Sequence, residues 1–287
     1  MDFMGDELRR HVRLGLMLLA LLGVGGSVSA EDKKAVPKVP DELLGNEHIR
    51  EEFGVNEFTT PSIKKIFDQL DALGTLPYDQ LKRDISDKAP SDRVLISLGL
   101  GTLIGDGFLV VQCEKIEEME NVGRALLKYS KALGAGMRIS KHSQSLLENS
   151  IKGDWKELRA ELASTQADVE SEMVLLRDVD VAHLIALGGW LRAFAISTET
   201  VAQNYSEEKS RTLGRADIVE YFIANLETLH PDIQKLAYIK DLQDGLKAIR
   251  PLLDVPEGKA FTLEETKKLR DNAKLLLQVV LVHLPKK

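Results

Sequence analysis

An apolar run from residue 94 to residue 111 constrains the fold of this chain more than any other segment. These 18 consecutive residues carry one charge, Asp106, and four glycines. The run approaches the length of a membrane span, but an acid at the centre of a bilayer helix costs about 2.5–3.5 kcal/mol. Each glycine inside a helix also costs about 1 kcal/mol relative to alanine, unless another backbone packs closely against it. We therefore expect a helix that is buried inside a helical bundle.

A second apolar run, residues 182–198, has the same character. It contains Gly188 and Gly189 and a single charge, Arg192. If the two helices cross at their glycines, Asp106 and Arg192 meet as a buried ion pair, for which the planar guanidinium is well suited. Two alternatives remain open. Each charge lies on a narrow stripe that faces water, or the two charges line a ligand-binding cleft between helices. Asp106 and Arg192 are therefore the candidate binding residues.

Short sequence echoes suggest that one helical unit is used twice. Residues 95–99 resemble residues 184–188, Gly-Arg-Ala occurs at 123–125 and 214–216, and Leu-Arg-Asp occurs at 176–178 and 269–271. The spacings are 89, 91 and 93 residues, and the order is preserved. We interpret this as an internal duplication. Coincidence is the alternative, because leucine, alanine and arginine are common in helices.

The pattern of apolar residues predicts an all-α protein, because no segment shows the alternation and turn chemistry of paired strands. We expect a helical bundle built from two similar helical units, residues 90–179 and residues 180–287. An N-terminal helical hairpin precedes them at residues 60–88, and its second helix is expected from Pro77 to about Asp87. Pro251 and Pro256 are expected to interrupt the helices of the second unit. Thr262 and Glu265 have the spacing of a capping box at the start of the last helix.

The first 30 residues have the organisation of a signal peptide. Arg9, Arg10 and Arg13 precede an apolar run, residues 14–24, and the small residues 28–30 then supply a cleavage site after Ala30. This order predicts a periplasmic or secreted protein with no stable membrane insertion after cleavage, in which residues 31–59 form a flexible linker. Retention of the segment as a membrane anchor is the alternative, and the arginine pair leaves the choice between Sec and twin-arginine export open.

The net charge argues against a nucleic-acid-binding protein, and the cysteine content excludes a protein stabilised by intrachain disulfides. Residues 1–30 contain three acids and three bases, so the chain keeps its net charge of −7 after cleavage. An acidic chain is a poor partner for nucleic acid. Cys113 is the only cysteine, so an intrachain disulfide is impossible even in an oxidising compartment. Stability must come from packing.

No motif in the chain specifies a reaction. Glu227 and His230 form one Glu-x-x-His pair, whereas a di-iron bundle needs two such pairs and two further glutamates. We interpret His230, which precedes Pro231, and His183 as helix-capping residues, and we predict no metal and no cofactor. The leading hypothesis is a non-catalytic helical module that binds a protein or a small molecule. The alternative is a metal-dependent or redox helical-bundle enzyme that uses His183, His230 and Glu227.

Overall fold

Helices make up most of the part of the chain that the structure describes. The structure is a computed structural model, and it describes residues 70–134, 145–146, 148–149, 152–161, 164, 179–256 and 258–286. Within these ranges the chain is mostly helical and contains no strand, which confirms the all-α bundle. The predicted signal peptide, the linker and the start of the hairpin, all within residues 1–69, lie outside the described residues.

The helices of the described residues differ widely in length. In order they are α1 (Tyr78–Leu81), α2 (Arg93–Gln112), α3 (Ile116–Leu133), α4 (Val179–Gln203), α5 (Glu207–Arg211), α6 (Ala216–Thr228), α7 (Pro231–Gln234), α8 (Ala237–Leu253) and α9 (Leu263–Leu281). Residues 155–161 are also helical. The long helices α2 and α4 form the centre. α3 packs against α2, α9 packs against α4 and α8, and α6 packs against α8.

The glycines of α2 and α4 allow these two helices to approach closely. A Cβ atom added to Gly101 would lie 2.0 Å from the carbonyl oxygen of Ile185, and one added to Gly188 would lie 2.1 Å from that of Leu98. Real Cβ atoms do not approach a backbone oxygen to that distance. Backbone contact thus compensates for the poor helix propensity of glycine, as the sequence predicts.

Side-chain caps fix where two of the long helices begin. Asp92 Oδ1 accepts hydrogen bonds from the backbone N–H of Val94 at 2.8 Å and of Leu95 at 3.2 Å, which starts α2. Asp92 Oδ2 accepts from the Tyr238 hydroxyl at 3.0 Å, which ties this end of α2 to α8. At the start of α9, Thr262 and Glu265 form the reciprocal capping box that the sequence predicts.

Two predicted helix boundaries are wrong. α1 ends at Leu81 instead of about Asp87, because the Leu81 carbonyl accepts a hydrogen bond from Arg192 and Lys82 has an extended backbone. Pro251 does not interrupt its helix, because it lies in the last turn of α8. A proline there removes one helical hydrogen bond, and the fully buried Ile249 and Leu253 hold the turn against the core.

The fold does not confirm a duplication. Gly123 lies inside α3, whereas Gly214 lies before α6 and Arg215 is the N-cap of that helix, so the Gly-Arg-Ala echo occupies two different structural contexts. The echo at 95–99 and 184–188 does fall on the two crossing helices. Even so, Gly99 faces the side chain of Tyr129, whereas Gly188 faces backbone. The division into two similar units stays a prediction.

By length and composition alone, α2 and α4 are able to cross a membrane. In this fold, 89% of the apolar window of α2 and 61% of that of α4 are buried inside the protein. The core helices of a soluble bundle meet the same criterion.

Candidate functional site

The two lone charges of the apolar helices lie in contact. Arg192 Nε donates to Asp106 Oδ1 at 2.7 Å, although 86 residues separate them in sequence. Asp106 is 3% exposed and Arg192 is 4% exposed. The water-facing stripe considered for these charges is therefore wrong, because both side chains lie in the core. Their role in ligand binding stays a prediction.

A second arginine, Arg83, completes this buried group of charges. Arg83 Nη2 lies 2.5 Å from Asp106 Oδ2, and the same nitrogen donates to Thr102 Oγ1 at 3.2 Å. Arg192 Nη2 donates to the Leu81 carbonyl at 2.6 Å. We call these three side chains the Arg83–Asp106–Arg192 network. Sequence reasoning missed Arg83, because it stands among charged residues in a segment whose local pattern is that of an exposed surface.

The network fixes the position of residues 78–85 over the central helices. Two guanidinium groups share one carboxylate, so the group carries a net formal charge of +1. Removing charges from water offsets much of their mutual attraction, and a buried pair therefore specifies geometry more than it adds stability. Breaking such a pair by removing one partner leaves an uncompensated buried charge, which costs about 3–5 kcal/mol. Asp106 is the residue on which both contacts depend.

A pocket of about 460 Å³ lies beside Asp106. One wall is the segment 78–85, and the others come from Asp106, Leu109 and Val110 on α2 and from Glu118 and Asn121 on α3. Arg192 does not line the pocket. This pocket opens between α2, α3 and the segment 78–85, so it is not the cleft between α2 and α4 that the sequence suggested, and ligand binding by the two charges stays a prediction.

The lining of this pocket is mixed in charge. Lys82 Nζ pairs with Asp79 Oδ1 at 2.9 Å, and Asp106 is paired with the two arginines. Asp84 and Glu118 are the other carboxylates in the lining. Burial, followed by the nearby carboxylate of Glu118, raises the pKa of the Tyr78 hydroxyl, so the phenol stays protonated at neutral pH. The pocket thus presents both donors and acceptors, beside an apolar surface from α2.

The residues considered for metal binding have other contacts. His183 Nδ1 lies 3.3 Å from the Tyr221 hydroxyl, and burial lowers the pKa of this histidine. Because His183 lies inside α4, the capping role expected for it is wrong. His230 does cap α7, its Nδ1 accepting from the backbone N–H of Asp232 at 3.3 Å. Glu227 pairs with Lys247 at 3.1 Å. Within the described residues, no three His, Cys, Asp or Glu side chains are grouped to hold a metal ion.

Comparison of the chain with protein-family models, with curated proteins and with solved structures gives no match. The pocket and the network beside it are therefore the observations from which a function has to be argued.

Proposed function

We propose that this protein is an exported, soluble, non-catalytic binding module, and that its binding site is the pocket beside Asp106. The observation that carries the proposal is the pocket of about 460 Å³ built against a buried group of charges. Small-molecule sites have volumes of about 300–1,000 Å³ and combine apolar walls with a few well-placed polar groups. Leu109 and Val110 supply the apolar wall, and Asp106 supplies a carboxylate whose position is fixed from both sides.

A small molecule fits this pocket better than a protein partner does. The site is concave, and its polar groups converge on one volume, whereas protein interfaces are broad surfaces of about 800 Å² per partner. The enzyme alternative lacks a comparable argument. His183, His230 and Glu227 each contact a different neighbour, namely Tyr221, Asp232 and Lys247. Binding without catalysis is thus the simplest use of the geometry.

Export and solubility are supported by different parts of the chain. The arginines, the apolar run and the small residues within 1–30 support cleavage after Ala30. The burial of α2 and α4 against other helices supports a product that stays out of the membrane. In a bacterial host, mass spectrometry of the protein from the envelope fraction should find Glu31 at its N-terminus. Carbonate washing should release it. An intact N-terminus or a wash-resistant protein contradicts this part of the proposal.

A pocket-blocking variant tests the binding site itself. Asn121 lines the pocket from α3, so Asn121→Trp fills it from a half-buried position. Lys131 lies in the last turn of the same helix, is exposed and does not line the pocket, so Lys131→Gln is the matched control. A small-molecule library is screened against the full chain by ligand-observed NMR. We expect compounds that bind the wild type and Lys131→Gln and that no longer bind Asn121→Trp. Absence of such compounds refutes the proposal.

A further inference from the structure

We infer that residues 78–85 form a strap that opens and closes as one piece over the pocket beside Asp106, and that Arg83 is the residue that holds it closed. Six of the eight residues of this strap line the pocket, so the position of the strap determines how far the pocket is open. The use of the strap as a gate rests on the proposed function. The attachment through Arg83 is a property of the fold, and its test needs no ligand.

The strap is attached to the long helices without a ladder of backbone hydrogen bonds. Among the described residues, no backbone–backbone hydrogen bond joins residues 78–85 to a long helix, and the Lys82 N–H donates within α1, to the Tyr78 carbonyl. Leu81 is the one buried side chain of the strap, and four of the other seven side chains are exposed. A segment with few buried contacts belongs to the least stable part of a fold.

Buried residues fix both ends of the strap. Leu76 precedes it and Ser86 follows it, and each of these residues is 7% exposed. A movement of the strap is thereby confined to the stretch between these two positions. We therefore expect residues 78–85 to detach from the long helices together.

Arg83 makes the contact that holds the strap to α2. Its Nη2 lies 2.5 Å from Asp106 Oδ2 and donates to Thr102 Oγ1 at 3.2 Å, and both partners are buried. The side chain of Arg83 is 17% exposed, against 5% for that of Arg192. Of the two arginines, Arg83 is thus the one that lies nearer to water.

The balance of charge favours release of Arg83 over disruption of the whole network. When the strap is closed, two guanidinium groups share the carboxylate of Asp106. When Arg83 moves into water, its guanidinium regains hydration, and Asp106 stays in the core as a neutral pair with Arg192, at 2.7 Å. Opening also breaks the bond from Arg192 Nη2 to the Leu81 carbonyl, and water then replaces each partner.

Chymotrypsin digestion of the full chain measures the opening. Cleavage after Tyr78, which lies in α1, requires the strap to detach. Cleavage after Phe222 in the same digest measures global unfolding, because Phe222 lies in α6 and is 1% exposed. Neither residue changes in any variant below. Mass spectrometry of the fragments that begin at Asp79 and at Ile223 gives the two rates.

Three variants separate the contact of Arg83 from other effects. Arg83→Met removes the charge and keeps an unbranched side chain, and Arg83→Lys restores the charge without the planar fork. Lys128→Gln is the matched control. It removes an exposed ion pair with Asp87, at 2.6 Å, just beyond the end of the strap.

We expect Arg83→Met to accelerate cleavage after Tyr78 at least about tenfold, because proteolysis follows the population of the open form. Cleavage after Phe222 should keep its wild-type rate. Arg83→Lys should give a smaller acceleration after Tyr78, and Lys128→Gln almost none, because exposed ion pairs contribute little.

The inference is overturned if Arg83→Met accelerates both cleavages in parallel, since the strap then opens only with the whole fold. It is also overturned if Arg83→Met leaves cleavage after Tyr78 at the wild-type rate, or if Lys128→Gln accelerates it equally. None of these results decides whether the pocket binds a ligand, which Asn121→Trp tests separately.

Discussion

The neighbouring residues Gly188 and Gly189 provide the sharpest test of the helix crossing. A Cβ atom at Gly188 would lie 2.1 Å from the Leu98 carbonyl oxygen, whereas one at Gly189 would lie 3.6 Å from that of Gly101. The first distance is a severe overlap with backbone, and the second is an ordinary van der Waals contact. Gly188→Ala and Gly189→Ala therefore make the same chemical change one residue apart, with opposite expected effects on stability.

The magnitudes follow from the distances. To reach a contact of about 3.4 Å, the backbones of α2 and α4 must separate locally by roughly 1.3 Å. A gap of 0.5–1 Å already forfeits about a quarter to a half of the dispersion energy of a contact. Overpacking of a core typically costs about 1–3 kcal/mol, and a backbone obstacle places Gly188→Ala at the upper end. Helix propensity returns about 1 kcal/mol. We expect Gly188→Ala to lose about 2 kcal/mol and Gly189→Ala to gain up to about 1 kcal/mol.

Thermal unfolding followed by circular dichroism measures this difference. For a chain of this size, 1 kcal/mol corresponds to a shift in Tm of about 2–4 °C, so the two variants should differ by roughly 6–12 °C. Gly123→Ala is a further control, because a Cβ atom there meets nothing within 4 Å, and it should be neutral or stabilising. A Gly188→Ala protein as stable as Gly189→Ala refutes the close backbone contact between α2 and α4.

Four further substitutions test the network, a helix cap and a buried histidine. Asp106→Asn should lower the free energy of unfolding in urea by about 3–5 kcal/mol, because it leaves two guanidinium groups without a counter-charge. Adding Arg192→Met should recover only part of that loss, because Arg83 stays unpaired. Thr262→Ala should cost about 1 kcal/mol in the same assay, because it removes the N-cap of α9. Burial lowers the pKa of His183 below its ordinary value of 6.5, so below pH 6.5 the unfolded chain binds a proton that the folded chain does not. The Tm should therefore fall as the pH decreases from 7.5 to 5, and less so in His183→Gln.

Each of these expectations has a clear contrary result. If the losses from Asp106→Asn and Arg192→Met simply add, the two residues are not coupled. A Thr262→Ala protein that unfolds at the same urea concentration as the wild type means that the capping box contributes nothing. An identical pH dependence in wild type and His183→Gln means that this histidine is not the group that titrates.

Sequence reasoning predicted the helices best where the apolar pattern was long and the caps were local. The run containing Asp106 is a helix with the bounds Arg93–Gln112, and the capping box of Thr262 is formed as expected. It failed where a tertiary contact outweighed local preference. The expected helix from Pro77 ends at Leu81, because the Leu81 carbonyl bonds to Arg192 instead of continuing the helix. Local periodicity contains no information about such a partner 111 residues away.

Sequence reasoning identified two of the three residues in the Arg83–Asp106–Arg192 network. A single acid and a single arginine in two apolar helices must each be paired or exposed, since burying an isolated charge is too costly, and this reasoning found Asp106 and Arg192. Arg83 escaped it, because an arginine in a charged segment needs no partner and so gives no signal in the sequence. The pocket also escaped it, because a cavity depends on how segments pack and not on their composition.

By itself, the sequence determined that this protein is built from helices, that two of them are buried and that their glycines permit close packing. Those properties follow from local periodicity, helix propensity and the cost of burying charge, which act within a turn or two of one helix. The tertiary structure alone decided that Arg83 joins the buried pair and that a pocket opens beside Asp106. Those features arise where segments distant in sequence meet, and the geometry of that meeting is set by the packing of the whole core.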